Sequence, residues 1–176
     1  SSPVMKWAGG KTQLLPVINS YYPEALKKKR IEVYIEPFAG GAAVFFDVCN
    51  KFEIKRAYLF DVNPELFILY NTIKYKLPAL IKELSSVQTE YLSRSETQRK
   101  DFYYQIRNLY NEFSREKITQ SINAYRAAQT IFLNRTCFNG LYRVNSRGRF
   151  NVPMGSYKNP QILFQEKLFL HNQKHN

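Results

Sequence analysis

A doubly wound α/β fold carrying an inserted helical module is the architecture that this sequence predicts, and three observations carry it. A β-favouring segment, Val33 to Ile35, runs directly into Pro37 and the glycine pair Gly40–Gly41. An apolar helical segment, Ala42 to Val48, comes next, and a second β-favouring segment, Ala57 to Phe60, ends on an acid, Asp61. After that acid the apolar residues recur at helical spacing from about residue 65 to residue 133. That interval is longer than a plain crossover between neighbouring strands requires, so it reads as an insertion into the β-α-β frame.

The elements follow in chain order. Residues 3–12 form a polar, glycine-containing loop, and Leu14 to Tyr22 can form a short helix. Lys27-Lys28-Lys29-Arg30 reads as a solvated basic turn before the first strand. The glycine turn after that strand allows a ligand close to the backbone, where a side chain would clash. Asp61 lies 20 residues after Gly41, at the end of the second strand, where a carboxylate can accept hydrogen bonds from both hydroxyls of an adenosine ribose. The three-glycine dinucleotide fingerprint is absent, because Phe38, Gly40 and Ala42 occupy its spacing, and a hydride-transfer cofactor is disfavoured.

Asn63-Pro64-Glu65 is a helix start, with Asn as cap, Pro in the first helical position and an acid in the first turn. The helix runs to about Lys76, and Pro78 opens another. From Ser95 a stripe of Phe102, Ile106, Leu109, Tyr110 and Phe113 predicts a helix with one core-facing side. Ile118, Ile122, Tyr125, Ile131 and Phe132 predict a further one. The periodicity stops at Asn134. Residues 134–160 have the Asn, Gly, Arg, Ser and Pro content of an ordered loop or hairpin, with Arg147-Gly148 as its turn. Leu168 to Leu170 reads as a third strand.

Composition narrows the partners. Among 176 residues, 26 are Lys or Arg against 14 Asp or Glu, a net charge of +12 that suits a polyanion. The 13 Tyr and 13 Phe supply groups able to stack on bases as well as core. Cys49 and Cys137 are too few for a disulfide framework, and with His171 and His175 they give no metal-ligand spacing. No secretory signal and no apolar run of membrane-spanning length is present, so the expectation is a reduced, cytoplasmic protein with no membrane partner.

The charge is concentrated. Between Glu116 and Glu166 there is no acid, while Lys117, Arg126, Arg135, Arg143, Arg147, Arg149 and Lys158 fall in that gap. Such a segment sits well against phosphates, and arginine can also grip the O6 and N7 of guanine. Phe138 and Tyr142 beside Arg143 offer an aromatic side chain for wedging or stacking. A solvated hairpin with incidental charge is the plainer alternative. Gly10-Lys11-Thr12 resembles the end of a phosphate-binding loop, but Met5 stands where its first glycine belongs, and with only five residues before Lys6 the preceding strand is not expected.

Taken together, these blocks resemble the DNA adenine-N6 methyltransferases of the Dam type, the D12 class. KWAGGK at Lys6–Lys11 is similar to the family's N-terminal motif. EPFAGGAAVFF at Glu36–Phe46 is similar to its S-adenosylmethionine motif, and FDVN at Phe60–Asn63 to its ribose-binding strand end. FLNRTCFNGLYRVNSRGRFNVPMGSYKNP, Phe132–Pro160, resembles the end of its target-recognition region. The resemblance implies a Rossmann-like S-adenosylmethionine-dependent methyltransferase fold, here partial, with a mainly helical target-recognition insertion. It divides the chain into 1–64 as the start of the catalytic domain, 65–160 as the insertion with its basic hairpin, and 161–176 as the return.

Site residues follow by position from the resemblance. Trp7, Lys11 and Asp61 would line the methyl-donor site, with Glu36, Phe38 and Gly40 as its floor. On duplex DNA, Lys6 and Arg143 would contact guanine. Phe138 would insert into the duplex beside Asn139 and Leu141, and Pro153 would sit against a base edge. Ser156 stands where many relatives carry Arg, which leaves the family's common GATC target open. The catalytic Asp/Asn-Pro-Pro-Tyr/Phe signature is absent, since Asn63-Pro64-Glu65 and Asn159-Pro160-Gln161 lack its second proline and aromatic. The chain therefore resembles the first part of such an enzyme. No catalytic residue is assigned, and these residues alone are expected to be inactive. A non-catalytic DNA-binding fragment or split subunit, or an RNA-directed methyltransferase, are the alternatives. A partner restriction endonuclease fits the family.

Overall fold

The computed structural model describes residues 3–7, 9–112, 123–165 and 168. Two parallel strands, β1 (Val33–Glu36) and β2 (Arg56–Leu59), pair in register from Val33 opposite Arg56 to Glu36 opposite Leu59. Helix α3 (Ala43–Lys51) crosses between them, as the sequence predicts. Two short helices precede β1: α1 (Leu15–Ser20), within the expected span, and α2 (Glu24–Lys27), which the basic run at its end had disguised. The sheet's inner face follows strand alternation. Tyr34 and Leu59 pack against Ala42, Phe45 and Phe46 of a small core. The other face stays open, with Val33, Ile35, Tyr58 and Phe60 exposed.

Among the described residues, four long helices follow β2. Asn63 caps α4 (Pro64–Tyr75) by accepting from the Glu65 N–H at 3.0 Å. Pro78 lies in the first turn of α5 (Leu77–Leu92), where a missing N–H costs nothing, and α6 (Glu96–Glu112) follows. The next helix, α7 (Ala124–Thr136), is the axis of the larger core and packs against α4, α5 and α6. It carries buried residues all round, including Arg126, Ile131, Phe132 and Asn134.

Several expectations need correction. Leu109 lies at the surface, because the buried arc of α6 is carried by Phe102, Tyr103, Ile106 and Tyr110 and leaves Leu109 at its edge. Tyr125 is also exposed. Helix α7 continues two residues past Asn134, since Asn134 and Thr136 are satisfied internally rather than breaking the helix. At the expected third strand, Gln165 and Leu168 are helical, and the Leu168 N–H donates to the Phe164 carbonyl at 3.2 Å. That i to i+4 hydrogen bond closes a helical turn, and Phe164 and Leu168 are both buried in the larger core. Phe113, Ile118, Ile122 and Leu170 lie outside the described residues. None of the described helices is long and apolar enough to cross a membrane.

Among the described residues, two carboxylates are buried. Glu65 receives the Arg126 guanidinium in a forked contact, Nη2 to Oε1 at 2.6 Å and Nε to Oε2 at 3.0 Å. Arg126 also donates to the Tyr110 carbonyl at 2.6 Å and lies over the Tyr110 ring, which ties α4, α6 and α7 together. Glu36 ends β1, accepts from the Tyr34 hydroxyl at 2.9 Å and faces the Lys11 ammonium at 3.7 Å. Burial outweighs these partners and raises its pKa above the ordinary 4.5.

Replacing Glu65 with Ala leaves a buried guanidinium unpaired and is expected to cost about 3–5 kcal/mol in urea denaturation; a cost below about 1 kcal/mol would show that the pair is not a structural anchor. For Glu36 the folded state favours the protonated form, so its contribution to stability is full at low pH and is lost as pH rises through the folded pKa. The stability of Glu36→Gln relative to the parent is therefore expected to increase between about pH 4 and about pH 7. A difference that stays flat or declines over that range contradicts the assignment.

Candidate functional site

The ladder of β1 and β2 continues past the strands. The Phe60 N–H donates to the Glu36 carbonyl at 2.8 Å, and the Ala39 N–H donates to the Phe60 carbonyl at 2.9 Å. This brings Asp61 beneath the glycine turn, where Oδ2 accepts from the Gly40 N–H at 2.8 Å and Oδ1 from the Asn63 N–H at 2.9 Å. Each carboxylate oxygen thus takes one backbone donor and keeps acceptor capacity for another. The Tyr70 hydroxyl, from α4, donates to the Gly40 carbonyl at 2.7 Å and holds the turn from behind.

Gly40 has φ +49°, and a Cβ there would come within 3.1 Å of the Trp7 indole. Glycine is therefore required both by the backbone and by the ring packed on it. Ala42 adopts φ +54° without that excuse, held by its N–H to the Ala39 carbonyl at 2.7 Å, and the N-terminus of α3 follows. The partial positive end of that helix faces the turn and favours an anionic group there.

Around this turn lies a cleft of about 180 Å³ lined by Trp7, Gly9, Gly10, Lys11, Phe38, Ala39, Gly40, Gly41, Ala43 and Asp61. Five of the six donor-site residues expected from sequence line it. The sixth, Glu36, is buried behind it and acts on Lys11, whose ammonium also donates to the Phe38 carbonyl at 3.0 Å. Phe38 stands at the rim, 71% exposed. A wider cleft of about 620 Å³ shares Trp7, Gly9, Gly10, Gly41 and Ala43 and opens towards Lys6, Gln13 and Arg135.

The second group of residues sits on the loop that follows α7. The Phe138 N–H donates to the Pro153 carbonyl and the Gly155 N–H to the Thr136 carbonyl, both at 2.8 Å, so two extended stretches are paired across Cys137 and Met154. Phe138 is 56% exposed, Leu141 and Pro153 are exposed, and Asn139 takes a left-handed φ of +57°. Arg143 begins a hairpin in which its Nε donates to Asn151 Oδ1 at 3.1 Å. The Asn145 side chain accepts from the N–H groups of Arg147 and Arg149, both at 3.0 Å, and Gly148 at φ +73° closes the expected turn.

The run of cations divides. Arg143, Arg147, Arg149 and Lys158 are exposed, whereas Arg126 is the buried partner of Glu65. Arg135 is also taken inward. It donates to the Val4 carbonyl at 3.0 Å, lies over the Phe164 ring, and burial lowers its pKa. Arg126 is thus enclosed in the core, while Arg135, which also borders the wider cleft, is committed to these inward contacts. Lys117 lies outside the described residues. Tyr142 is likewise not free to stack on a base. It is buried, its hydroxyl is 3.0 Å from that of Tyr110, and its ring stacks on Trp7 at 4.9 Å and 14°. Phe138 is the exposed aromatic of the pair.

Three residues hold the site together: Tyr70 and Asn134, which sequence reasoning missed, and Tyr142, which it misread. Nothing in the sequence marks Tyr70. Asn134 had a signal, a lone amide at the end of an apolar helix, which inside a core must find backbone partners. Its Oδ1 accepts from the Lys6 N–H at 3.1 Å, and its Nδ2 donates to the carbonyls of Lys6 and Gly140, both at 2.8 Å. Through this amide the segment carrying Lys6 and Trp7 is fastened to the segment carrying Phe138 and Asn139.

Comparison with known proteins identifies the family. The family model for D12 class N6 adenine-specific DNA methyltransferases matches residues 7–176. The chain is 48% identical over 166 residues to the Type II methyltransferase M.MjaIII of Methanocaldococcus jannaschii, covering 94% of this chain and 56% of that protein. It is 37% identical to the Type II methyltransferase M1.LlaDCHI of Lactococcus lactis subsp. cremoris, covering 93% of this chain and 51% of the relative. It is also 37% identical to a DNA adenine methylase of Vibrio cholerae, covering 94% and 52% respectively. The chain thus spans about half the length of these relatives. With the glycine turn, the strand-end acid and the basic hairpin in the order and geometry described, the chain belongs to the D12 class of N6 adenine-specific DNA methyltransferases.

Proposed function

We propose that this chain supplies the methyl-donor site and the DNA-reading surface of a site-specific DNA adenine-N6 methyltransferase. The observation that carries the reading is the cleft in which Asp61, Gly40, Trp7, Lys11 and Phe38 converge, with an exposed Phe138 and Arg143 on a loop fastened to the same N-terminal segment. In this reading residues 1–64 begin a Rossmann-like catalytic domain, 65–160 form the target-recognition insertion and 161–176 return. The separate small core around Phe45 supports the first boundary. The Type II designation of two relatives supports a restriction–modification setting. A duplex DNA partner supports action in the cytoplasm.

The donor set suits S-adenosylmethionine. Asp61 retains acceptor capacity for the ribose hydroxyls, Trp7 and Phe38 flank the space for an adenine ring, and the α3 N-terminus and Lys11 suit a carboxylate. When bound, the cofactor supplies an electrophilic methyl group. The protein's work is orientation. The target adenine must leave the stack to be reached, and Phe138, flanked by Asn139 and Leu141, would fill the gap in the duplex. Arg143 and Lys6 would read guanine edges, and Pro153 would close against a base. Arg147, Arg149 and Lys158 would meet phosphates. The Asp/Asn-Pro-Pro-aromatic signature is not among these 176 residues, so they are assigned binding and orientation rather than activation of the amino nitrogen.

Asp61→Ala is expected to weaken S-adenosylmethionine binding by about 1–3 kcal/mol in calorimetric titration, and unchanged affinity would remove the donor assignment. Arg143→Ala is expected to relax discrimination at one base position by about 1–3 kcal/mol, whereas Lys158→Ala should weaken all duplexes alike and flatten the salt dependence. Equal losses on cognate and scrambled duplexes for the Arg143 variant would confine that residue to phosphate contact, and a preference for RNA at fixed salt would redirect the substrate.

A further inference from the structure

The geometry points to Asn134 as a positioning residue that couples donor binding to DNA binding, an inference that rests on the function proposed above. Asn134 is 1% exposed, and one amide holds three backbone groups from two distant segments. It pairs with both the N–H and the carbonyl of Lys6, as a neighbouring strand would, and so fixes the orientation of that residue as well as its place. Its second Nδ2 hydrogen fixes the Gly140 carbonyl at 2.8 Å. Both amide hydrogens are consumed, so neither segment can shift without stranding a buried polar group.

Each segment leads to one ligand. Lys6 is followed by Trp7, whose indole edge lies on the Gly40 turn that Asp61 holds. Gly140 lies between Phe138 and Arg143. The Trp7 ring closes the circuit by stacking on Tyr142 at 4.9 Å, next to Arg143. The Lys6 side chain crosses the Gly140 Cα, where a Cβ would come within 3.2 Å of it. Duplex DNA that immobilises Phe138 and Arg143 must therefore also immobilise Trp7, a wall of the donor cleft. Order supplied by one ligand need not be supplied by the other, which makes the two bind cooperatively.

The test is a linkage measurement on the intact protein, with S-adenosylhomocysteine as a non-reacting donor analogue titrated calorimetrically with and without an adenine-containing duplex. In the parent protein the duplex is expected to tighten analogue binding by about fivefold or more, with the reciprocal effect on duplex affinity. In Asn134→Ala that ratio is expected to fall towards one, by more than either affinity falls alone. A merely structural role would lower affinities and leave the ratio unchanged. Gly140→Ala, which keeps the Asn134 side chain but strains the φ +63° residue whose carbonyl it holds, is expected to lower the ratio as well and guards against poor folding of the first variant. Independent binding in the parent, or an unchanged ratio in either folded variant, overturns the coupling while leaving the proposed function standing. Failure of the parent to bind analogue or duplex removes both.

Discussion

A guanidinium cannot be left unpaired inside a protein, and the larger part of this structure is arranged around that constraint. Arg126 enters the core from α7, and a forked contact with Glu65, the Tyr110 carbonyl and the Tyr110 ring help make its burial tolerable. The partners come from α4 and α6, so satisfying one side chain sets three helices against one another. Glu65 sits in the first turn of α4, just beyond the strand end that carries Asp61. The same interaction therefore fixes where the helical part departs from the sheet, close to the cleft around the glycine turn.

Helix α7 carries this constraint forward to the site. Arg126 anchors its first turns, Arg135 reaches the Val4 carbonyl, and Asn134 ties Lys6 to Gly140 near its end. The helix thus serves as a spine with polar attachments, and the apolar residues between them, Ile131, Phe132 and Leu133, are fully buried. Two surfaces of opposite chemistry result at one end. One is a glycine-walled cleft with a carboxylate at its base, and the other is an exposed loop with Phe138 and Arg143. A short stack, Trp7 on Tyr142, lies between them.

The β-α-β unit was legible because strand, glycine turn, helix and strand-end acid follow local rules of backbone geometry and periodicity, and β1, α3 and β2 fall within a few residues of their expected places. The start of α4 was legible for the same reason, since Asn63 and Pro64 act within one turn. Charge misled where burial intervened. Arg126 and Arg135 look identical to Arg143 and Arg147 in a run without acids, yet tertiary partners far away in sequence draw two of them inward. Tyr142 was misread in the same way, because its partners, Trp7 and Tyr110, come from segments that composition does not connect to it. Leu168 failed as a strand because three adjacent apolar residues carry no period, and packing with Phe164 decides for a helical turn. Five of the six residues expected at the donor site converge on one cleft, since their places are set by short motifs. The clamps behind it, Tyr70 and Asn134, depend on contacts across 30 and 128 residues and leave little local trace.

The most direct test of the account is photolabelling of the intact protein with methyl-labelled S-adenosylmethionine, followed by mapping of the labelled peptide. The account predicts a single adduct in the peptide containing Trp7 to Lys11 or the one containing Phe38 to Gly41, abolished by excess unlabelled cofactor. A competable adduct confined to α5 or α6 would place the donor elsewhere and contradict it.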